Sequence, residues 1–369
     1  MEPSSARSAT SPVVTEIPRF DGVAPIPEME PAPRREGRRF PIVNVVLFLL
    51  TLFATTMAGA LANGAEVSLW QPASLVNLVA GLSFSLPLMA ILLAHEMGHY
   101  LTSRHHGVNA TLPFFIPGPW MVPLPGTLGA FIRMKSLPRS RRAMFDIGAA
   151  GPWAGFIVAL IATAIGLRMS QVSPLDPSQG GIDFGNSIIF WVLSRVLLGV
   201  NPNTVEISLH PLALAGWYGI FVTTLNLLPV GQLDGGHVAY ALFGPRGHRL
   251  VSRLAWLGCL GLAVVPLVLG FEFWPGWFLW FLIVIALGLG HPSTGDIETP
   301  LRGPRRLAAW ATVGLFIITF VPVPLSIVTP KAPVVIPPSE GPRYSVMYRV
   351  ASSGAWRPHA ALPYSNLIR

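Results

Sequence analysis

Leu92-Leu93-Ala94-His95-Glu96-Met97-Gly98-His99-Tyr100 sets two imidazoles and a carboxylate inside a run that otherwise has the composition of a membrane-spanning helix. Side chains four residues apart on a helix lie almost above one another. His95 and His99 can therefore both reach one Zn2+ at about 2.0–2.1 Å. Glu96 falls on the adjoining flank, where a carboxylate acts on a water molecule rather than on the metal. The preceding residues, Phe84 to Leu93, are apolar on every face, so the motif sits on a buried or lipid-embedded helix. An acidic residue at the centre of such a helix costs about 2.5–3.5 kcal/mol on insertion scales. Zinc returns an apparent 10–16 kcal/mol or so in small zinc peptides. Metal binding can offset the burial, and this favours a metal site over a chance cluster of polar groups.

The rest of the chain has the composition of a bilayer protein: 51% of its 369 residues are hydrophobic and 11% are charged. Crossing about 30 Å of hydrocarbon takes roughly 20 apolar residues. Runs approaching that length are Ile42 to Leu61, Ala73 to Ser103, Met144 to Arg168, Pro211 to Val230, Leu254 to Phe271, Trp274 to Gly290 and Leu307 to Ile327. A shorter run, Ser187 to Val200, reads as an interfacial or partial helix. The fold class expected is therefore an all-α polytopic membrane protein with about seven transmembrane helices, integral to the lipid bilayer. Arg34, Arg35, Arg38 and Arg39 precede the first run and place the N-terminus in the cytoplasm by the positive-inside rule. Arg133 to Arg142, Arg246 to Arg253 and Arg302 to Arg306 then fall on inside loops, and the motif helix ends on the same side. Loop placement accounts for most of the net charge of +8, and nothing in the chain calls for nucleic acid.

Residues 1–40 are rich in Pro, Ser, Glu and Arg without periodicity and read as a disordered cytoplasmic arm. Residues 41–328 read as the membrane domain and 329–369 as a C-terminal tail. No cleavable leader is expected, because the first apolar run is long and starts far from Met1. Cys259 is the only cysteine and reads as a buried, inert thiol.

Two histidines leave a metal short of a third protein donor. Asn226-Leu227-Leu228-Pro229-Val230-Gly231-Gln232-Leu233-Asp234-Gly235-Gly236-His237 offers one. Pro229 removes a helix hydrogen bond and the glycines loosen the backbone, which would open a helix and turn Asp234 towards the metal. The alternative is an Asp that only caps the next helix. Asn226, in an otherwise apolar helix, needs a partner for its amide and could support the site or bond a neighbouring helix. His237 could be an alternative ligand, a partner of the ligands or a solvent-side histidine and is set outside the metal shell, His105 and His106 read as interfacial, and Asp146 reads as a structural residue favouring a helix N-terminus.

These residues resemble the site-2 protease family of intramembrane zinc metalloproteases. His95-Glu96-Met97-Gly98-His99 is similar to its first motif, and Asn226, Pro229 and Leu233-Asp234-Gly235 to its second. Leu112-Pro113-Phe114-Phe115-Ile116-Pro117, the stretches Gly129 to Ser136 and Phe145 to Pro152, and His291-Pro292-Ser293-Thr294 resemble the branch that lacks a PDZ domain and includes plastid members. The likeness runs from about Phe84 to Pro322. It implies one Zn2+ per chain held by His95, His99 and Asp234, with Glu96 activating the water. It also implies hydrolysis of a peptide bond within or beside a transmembrane segment of another protein, typically after a first cut elsewhere. With no room for a PDZ domain inside the membrane part, control would fall to the arm, the tail or a separate regulatory protein.

Pro113, Pro117, Pro119, Pro123 and Pro125 break any helix from Leu112 to Gly126, in a stretch too apolar for an ordinary solvated loop. Irregular backbone at membrane depth is tolerated only under protein cover or beside a wet cavity. A small re-entrant or β element is therefore expected between the motif helix and the next span. Thr127 to Met134 reads as a strand, whose edge at Gly129, Ala130 and Phe131 is a candidate for pairing with an extended substrate. Two other classes compete: a catalytically silent scaffold that binds transmembrane clients, and a metal transporter. An intact Glu96 speaks against the scaffold. One compact ligand triad, rather than polar groups strung along a path, speaks against the transporter.

Overall fold

The computed structural model describes residues 41–329, apart from 69, 122, 177–179 and 292–298, together with the strand pair 347–349 and 356–358. The arm over 1–40, the tail beyond 329 apart from that strand pair, and Pro292-Ser293-Thr294 lie outside the described residues.

Helix α1 (Ile42–Ala62) and a 3-10 turn (Pro72–Gly81) lead into α2 (Leu82–His105), which carries the His-Glu motif. Then come β1 (Phe114–Pro117), β2 (Thr127–Phe131) and α3 (Arg141–Arg168). Ser140 sets the start of α3: its Oγ accepts from the Ala143 amide at 3.2 Å, satisfying one of the donors every helix start leaves open. Strands β3 (Gln171–Pro174) and β4 (Gly181–Phe184), helix α4 (Ile188–Leu198) and β5 (Val205–Ser208) follow. The chain continues through α5 (Pro211–Asn226), α6 (Asp234–Leu269), α7 (Gly276–Leu287), α8 (Pro304–Thr319) and β6 (Leu325–Val328), and then β7 (Met347–Arg349) and β8 (Trp356–Pro358). The strands form two-stranded antiparallel ribbons: β1 with β2, β3 with β5, β4 with β6, and β7 with β8.

The interior is built where α3 meets α2 and α5. Phe84, Leu88, Met89 and Leu92 of α2 pack with Ala215, Trp217 and Tyr218 of α5 and with Phe115 of β1. Small residues let the backbones close up: a Cβ on Gly216 would meet the Thr163 amide at 2.6 Å. Such close approach is how helices associate where water supplies no hydrophobic drive between them.

Four helical stretches are long and apolar enough to cross a membrane: Ile42–Ala62, Ala73–His105, Arg141–Arg168 and Asp234–Leu269. The expectation of about seven spans is thus met only in part. Helices α5 and α8 have 16 residues each and α7 has 12. Sixteen residues rise about 24 Å, less than a hydrocarbon core of about 30 Å. The apolar run at 254–271 falls largely in the second half of the candidate span Asp234–Leu269, helix α6, which starts well before it at Asp234. Gly244, with φ of +71°, breaks α6 and Pro245 restarts it. Arg246, Arg249 and Arg253 consequently ride on helix instead of lying in a loop. Leu307 to Ile327 ends in strand β6, and α4 is the partial helix expected at 187–200. The ribbons β3–β5, β4–β6 and β7–β8 lie outside the expected architecture; strands of three or four residues are too short for alternation to be read.

The segment between α2 and α3 forms the hairpin β1–β2. The proline-rich stretch itself supplies the first strand, with Phe114 opposite Phe131, Phe115 opposite Ala130 and Ile116 opposite Gly129. Helix α1 holds it in place. Asn44 Nδ2 donates to the carbonyls of Leu112 (3.1 Å) and Pro113 (2.8 Å), and the Phe48 and Phe115 rings meet edge-on at 5.1 Å. The Tyr218 hydroxyl of α5 donates to the Pro123 carbonyl at the hairpin tip. At Gly126, φ is +77° and a Cβ would overlap the Ala54 carbonyl of α1. Gly126→Val should therefore destabilise the protein in detergent by more than the roughly 1–2 kcal/mol of a left-handed backbone alone. The expected readouts are a lowered melting temperature and faster limited proteolysis between β1 and β2.

Candidate metal centre

His95, His99 and Asp234 converge in the interior, with one donor atom of each within 4.8 Å of the others. His95 and His99 come one turn apart from α2, and Asp234 is the first residue of α6. Helix α5 stops at Asn226, ahead of Pro229, and the chain makes irregular turns over 227–233 before α6 starts. This interruption, rather than a bent continuous helix, delivers Asp234. Its carboxylate also stands in the first turn of α6, where the helix dipole favours a negative charge.

The triangle is nearly equilateral. His95 Nε2 lies 3.1 Å from His99 Nε2, His95 Nε2 lies 3.2 Å from Asp234 Oδ2, and His99 Nε2 lies 3.3 Å from the same oxygen. The edge of a tetrahedron with bonds of about 2.0–2.1 Å is roughly 3.3–3.4 Å. The tautomers point the same way. His99 Nδ1 is 2.8 Å from the Ile147 carbonyl, which can only accept, so Nδ1 carries the hydrogen and Nε2 of the neutral ring presents a lone pair. Three electron pairs thus face one point with little water about: His95 and His99 are 4% and 7% exposed. A cation answers all three together, and the donor set of two imidazoles and one carboxylate suits Zn2+. The carbonyl behind His99 is the kind of partner that fixes a metal-binding histidine.

Glu96, 4% exposed, stands beside the triangle, and the Ile132 backbone amide, just past β2, lies beside its carboxylate. Asn226 closes α5 with Nδ2 at 3.2 Å from His95 Nε2. The structure thus brings together His95, Glu96, His99, Asn226 and Asp234. Gly129, Ala130 and Phe131 lie on β2 immediately before Ile132, opposite Ile116, Phe115 and Phe114.

Several supports of the site were not assigned from the sequence. On α3, a Cβ at Gly151 would overlap the His99 imidazole, and one at Gly155 would sit 3.0 Å from His95 Cβ. The run Gly148-Ala149-Ala150-Gly151-Pro152-Trp153-Ala154-Gly155 was the available clue, as small residues recurring at helical spacing. Arg141, buried at the start of α3, donates through Nε and Nη2 to the Ala241 carbonyl at 3.2 and 2.7 Å. That carbonyl lies at the end of the α6 half that begins with Asp234. His237 is buried, not at the solvent side, with Nδ1 2.7 Å from His291 Nε2. His106 and Asp146 pair at 3.0 Å, and Arg305 of α8 joins Asp146 at 3.0 Å, so Asp146 ties three helices together.

A bundle of apolar helices around a buried two-histidine, one-carboxylate centre with a neighbouring glutamate defines the class: a helical membrane-type protein with a site suited to metal hydrolysis. Comparison then identifies the domain. The model of peptidase family M50 matches residues 83–265, so the chain carries a peptidase M50, or site-2 protease, domain over that stretch. The probable chloroplastic zinc metalloprotease EGY1 of Oryza sativa subsp. japonica is 30% identical over 305 residues, which cover 76% of this chain and 50% of that protein. EGY1 of Arabidopsis thaliana is 30% identical over 303 residues, 76% of this chain and 53% of the relative. EGY2 of Oryza sativa subsp. indica is 28% identical over 234 residues, 63% and 40% respectively. The chain therefore spans about half the length of these relatives or less.

Because Gly151 leaves room for the His99 ring, Gly151→Ala is expected to cut bound zinc at least tenfold in protein that still elutes as a monodisperse species. Metal analysis of purified wild type and variant checks this.

Proposed function

We propose that the protein is a zinc-dependent endopeptidase that cleaves a peptide bond within or beside the transmembrane segment of another membrane protein. The observation carrying this reading is the triangle of His95, His99 and Asp234 electron pairs with Glu96 beside it, in the interior of a bundle built from membrane-length helices. The peptidase M50 domain and relatives bearing the name zinc metalloprotease support it.

On this reading His95, His99 and Asp234 hold one Zn2+ per chain. When bound, zinc supplies Lewis acidity towards a water and a carbonyl oxygen. Glu96 takes the proton of the attacking water as oxygen bonds to the carbonyl carbon, and returns it to the leaving amine nitrogen as the C–N bond breaks. Asn226, with its amide directed at the centre, orients the substrate carbonyl. The substrate must present an extended backbone, because the intramembrane helix it comes from shields its own amides. The edge of β2 at Gly129, Ala130 and Phe131 pairs with that strand, and Ile132, whose amide lies beside Glu96, sets the strand's height against the base.

The orientation proposed is cytoplasmic for the N-terminus and the active-site end. His106, Asp146 and Arg305 meet, which brings the end of α2, the start of α3 and the start of α8 to one end of the bundle. These are sites of the basic clusters that the positive-inside rule assigns to the cytoplasm. Partners are the membrane-protein substrate and the lipid bilayer, with control falling to the arm, the tail or a separate regulatory protein.

Glu96→Gln should retain zinc while cleavage of single-span substrates in detergent falls about 10²–10⁴-fold, the usual contribution of a general base. No cleavage by either wild type or Glu96→Gln would leave the scaffold standing, and cleavage by Glu96→Gln at the wild-type rate would exclude Glu96 as the base. Ala130→Pro, tested the same way, is expected to keep zinc and lose cleavage, since proline removes a strand donor and stiffens the edge. Unchanged cleavage would exclude pairing along β2.

A further inference from the structure

The turns over 227–233 connect two residues that face the metal centre, Asn226 and Asp234, and two side chains from beyond the α6 break grip this segment. His248 Nε2 is 3.1 Å from the Gly231 carbonyl, and Ser252 Oγ donates to the Pro229 carbonyl at 3.1 Å. The two side chains lie one turn apart on α6, and His248 Nε2 is also 3.2 Å from Ser252 Oγ. The hydrogens can be assigned without conflict. Both carbonyls accept, so Nε2 of His248 carries its hydrogen, and the Ser252 hydroxyl spends its own on Pro229 while accepting from the imidazole. His248 is 1% exposed and Ser252 is fully buried.

This contact depends on the break in α6. Residues 234–243 lead away from the metal centre, Gly244 and Pro245 redirect the chain, and the second half returns along the segment it has just left. Four residues forward on the helix, from 248 to 252, correspond to two residues back along the segment, from 231 to 229. The carbonyls of Pro229 and Gly231 would otherwise be unpaired backbone groups in an apolar interior, each a cost of about 1–3 kcal/mol. Gly231 has φ of +52°, and a Cβ there would meet the Gly288 carbonyl, so the backbone has little freedom to seek other donors.

We infer that His248 and Ser252 are positioning residues for the metal centre, acting through the Pro229 and Gly231 carbonyls to fix Asp234 and Asn226 against His95 and His99. The inference rests on the metal reading of that centre. Partners at one remove from a metal typically change affinity or activity by about 10–100-fold when lost.

The test measures zinc affinity by chelator competition on full-length protein in detergent, with kcat and KM on a single-span substrate alongside. Ser252→Ala, the smallest truncation, and His248→Leu are each expected to weaken zinc binding about tenfold and lower kcat with little change in KM. His248→Gln places an amide donor where Nε2 stood and should recover most of the loss. Wild-type zinc affinity in Ser252→Ala and His248→Leu would overturn the inference, as would equal losses in His248→Gln and His248→Leu, which would mark bulk packing as the cause. If His248→Leu fails to fold, Ser252→Ala decides the outcome. Failure of the wild type itself to bind zinc would overturn the metal reading and the inference with it.

Discussion

Three lone pairs must be held about 3 Å apart in an interior that water scarcely reaches, and much of the rest of the structure follows from that requirement. A cation at their centre answers the two imidazoles and the carboxylate together, while the Asn226 amide reaches only His95. Two of the three groups come from one helix and are placed by its pitch alone. The third has to come from elsewhere. Delivering it demands that the backbone stop being helical at the depth of the histidines, and that α3 pass close behind them. The glycines at 151 and 155 meet the second demand by leaving space where a side chain would stand.

The first demand creates a problem of its own. Interrupting helices exposes carbonyls and amides that cannot be left unpaired in an apolar setting. The segment between α5 and α6 meets this with short turns of its own, the Leu225–Leu228, Leu228–Val230 and Val230–Leu233 bonds among them, and with the side chains of His248 and Ser252. The hairpin β1–β2 meets it by strand pairing, by the Asn44 amide from α1 and by the Tyr218 hydroxyl from α5. The two irregular segments are stabilised alike, by donors sent from regular helices around them. Arg141 does the same at the third interruption, the end of the first half of α6, where its guanidinium takes up the Ala241 carbonyl.

What could be read from the sequence follows this division. The pairing of His95 with His99 depends on four residues of one helix and is local, so spacing alone fixed it. Asp234 was reachable because a break in a helix has its own composition, here Pro229 with Gly231, Gly235 and Gly236. The hairpin was legible as a proline-rich apolar stretch that could be neither helix nor loop, although its first strand was not assigned. Span counting fared worse. Apolar length cannot separate a 16-residue helix packed on protein from one that crosses lipid. The second half of α6 packs through His248 and Ser252, between the exposed Arg246, Arg249 and Arg253, and those partners lie outside the local pattern. Ile132, Gly151 and Arg141 were hidden for the same reason, since each matters through a partner far along the chain.

The link between the hairpin and Glu96 carries the proposed chemistry furthest. A peptide in a membrane is a poor substrate chiefly because its backbone is folded on itself, so recognition has to mean unfolding it. An open strand edge does this by offering the donors and acceptors that the substrate helix gives up. Such an edge is useful for hydrolysis only if it fixes where along the strand the bond is cut. Here Ile132, the next residue after β2, sets its backbone amide beside the carboxylate that would move the proton. On the proposed reading, a strand laid along Gly129, Ala130 and Phe131 is thereby registered against Glu96 through a single peptide unit. The position of the cut would then follow from backbone pairing, which every sequence can supply. Discrimination among substrates would rest on how readily a given transmembrane segment unwinds.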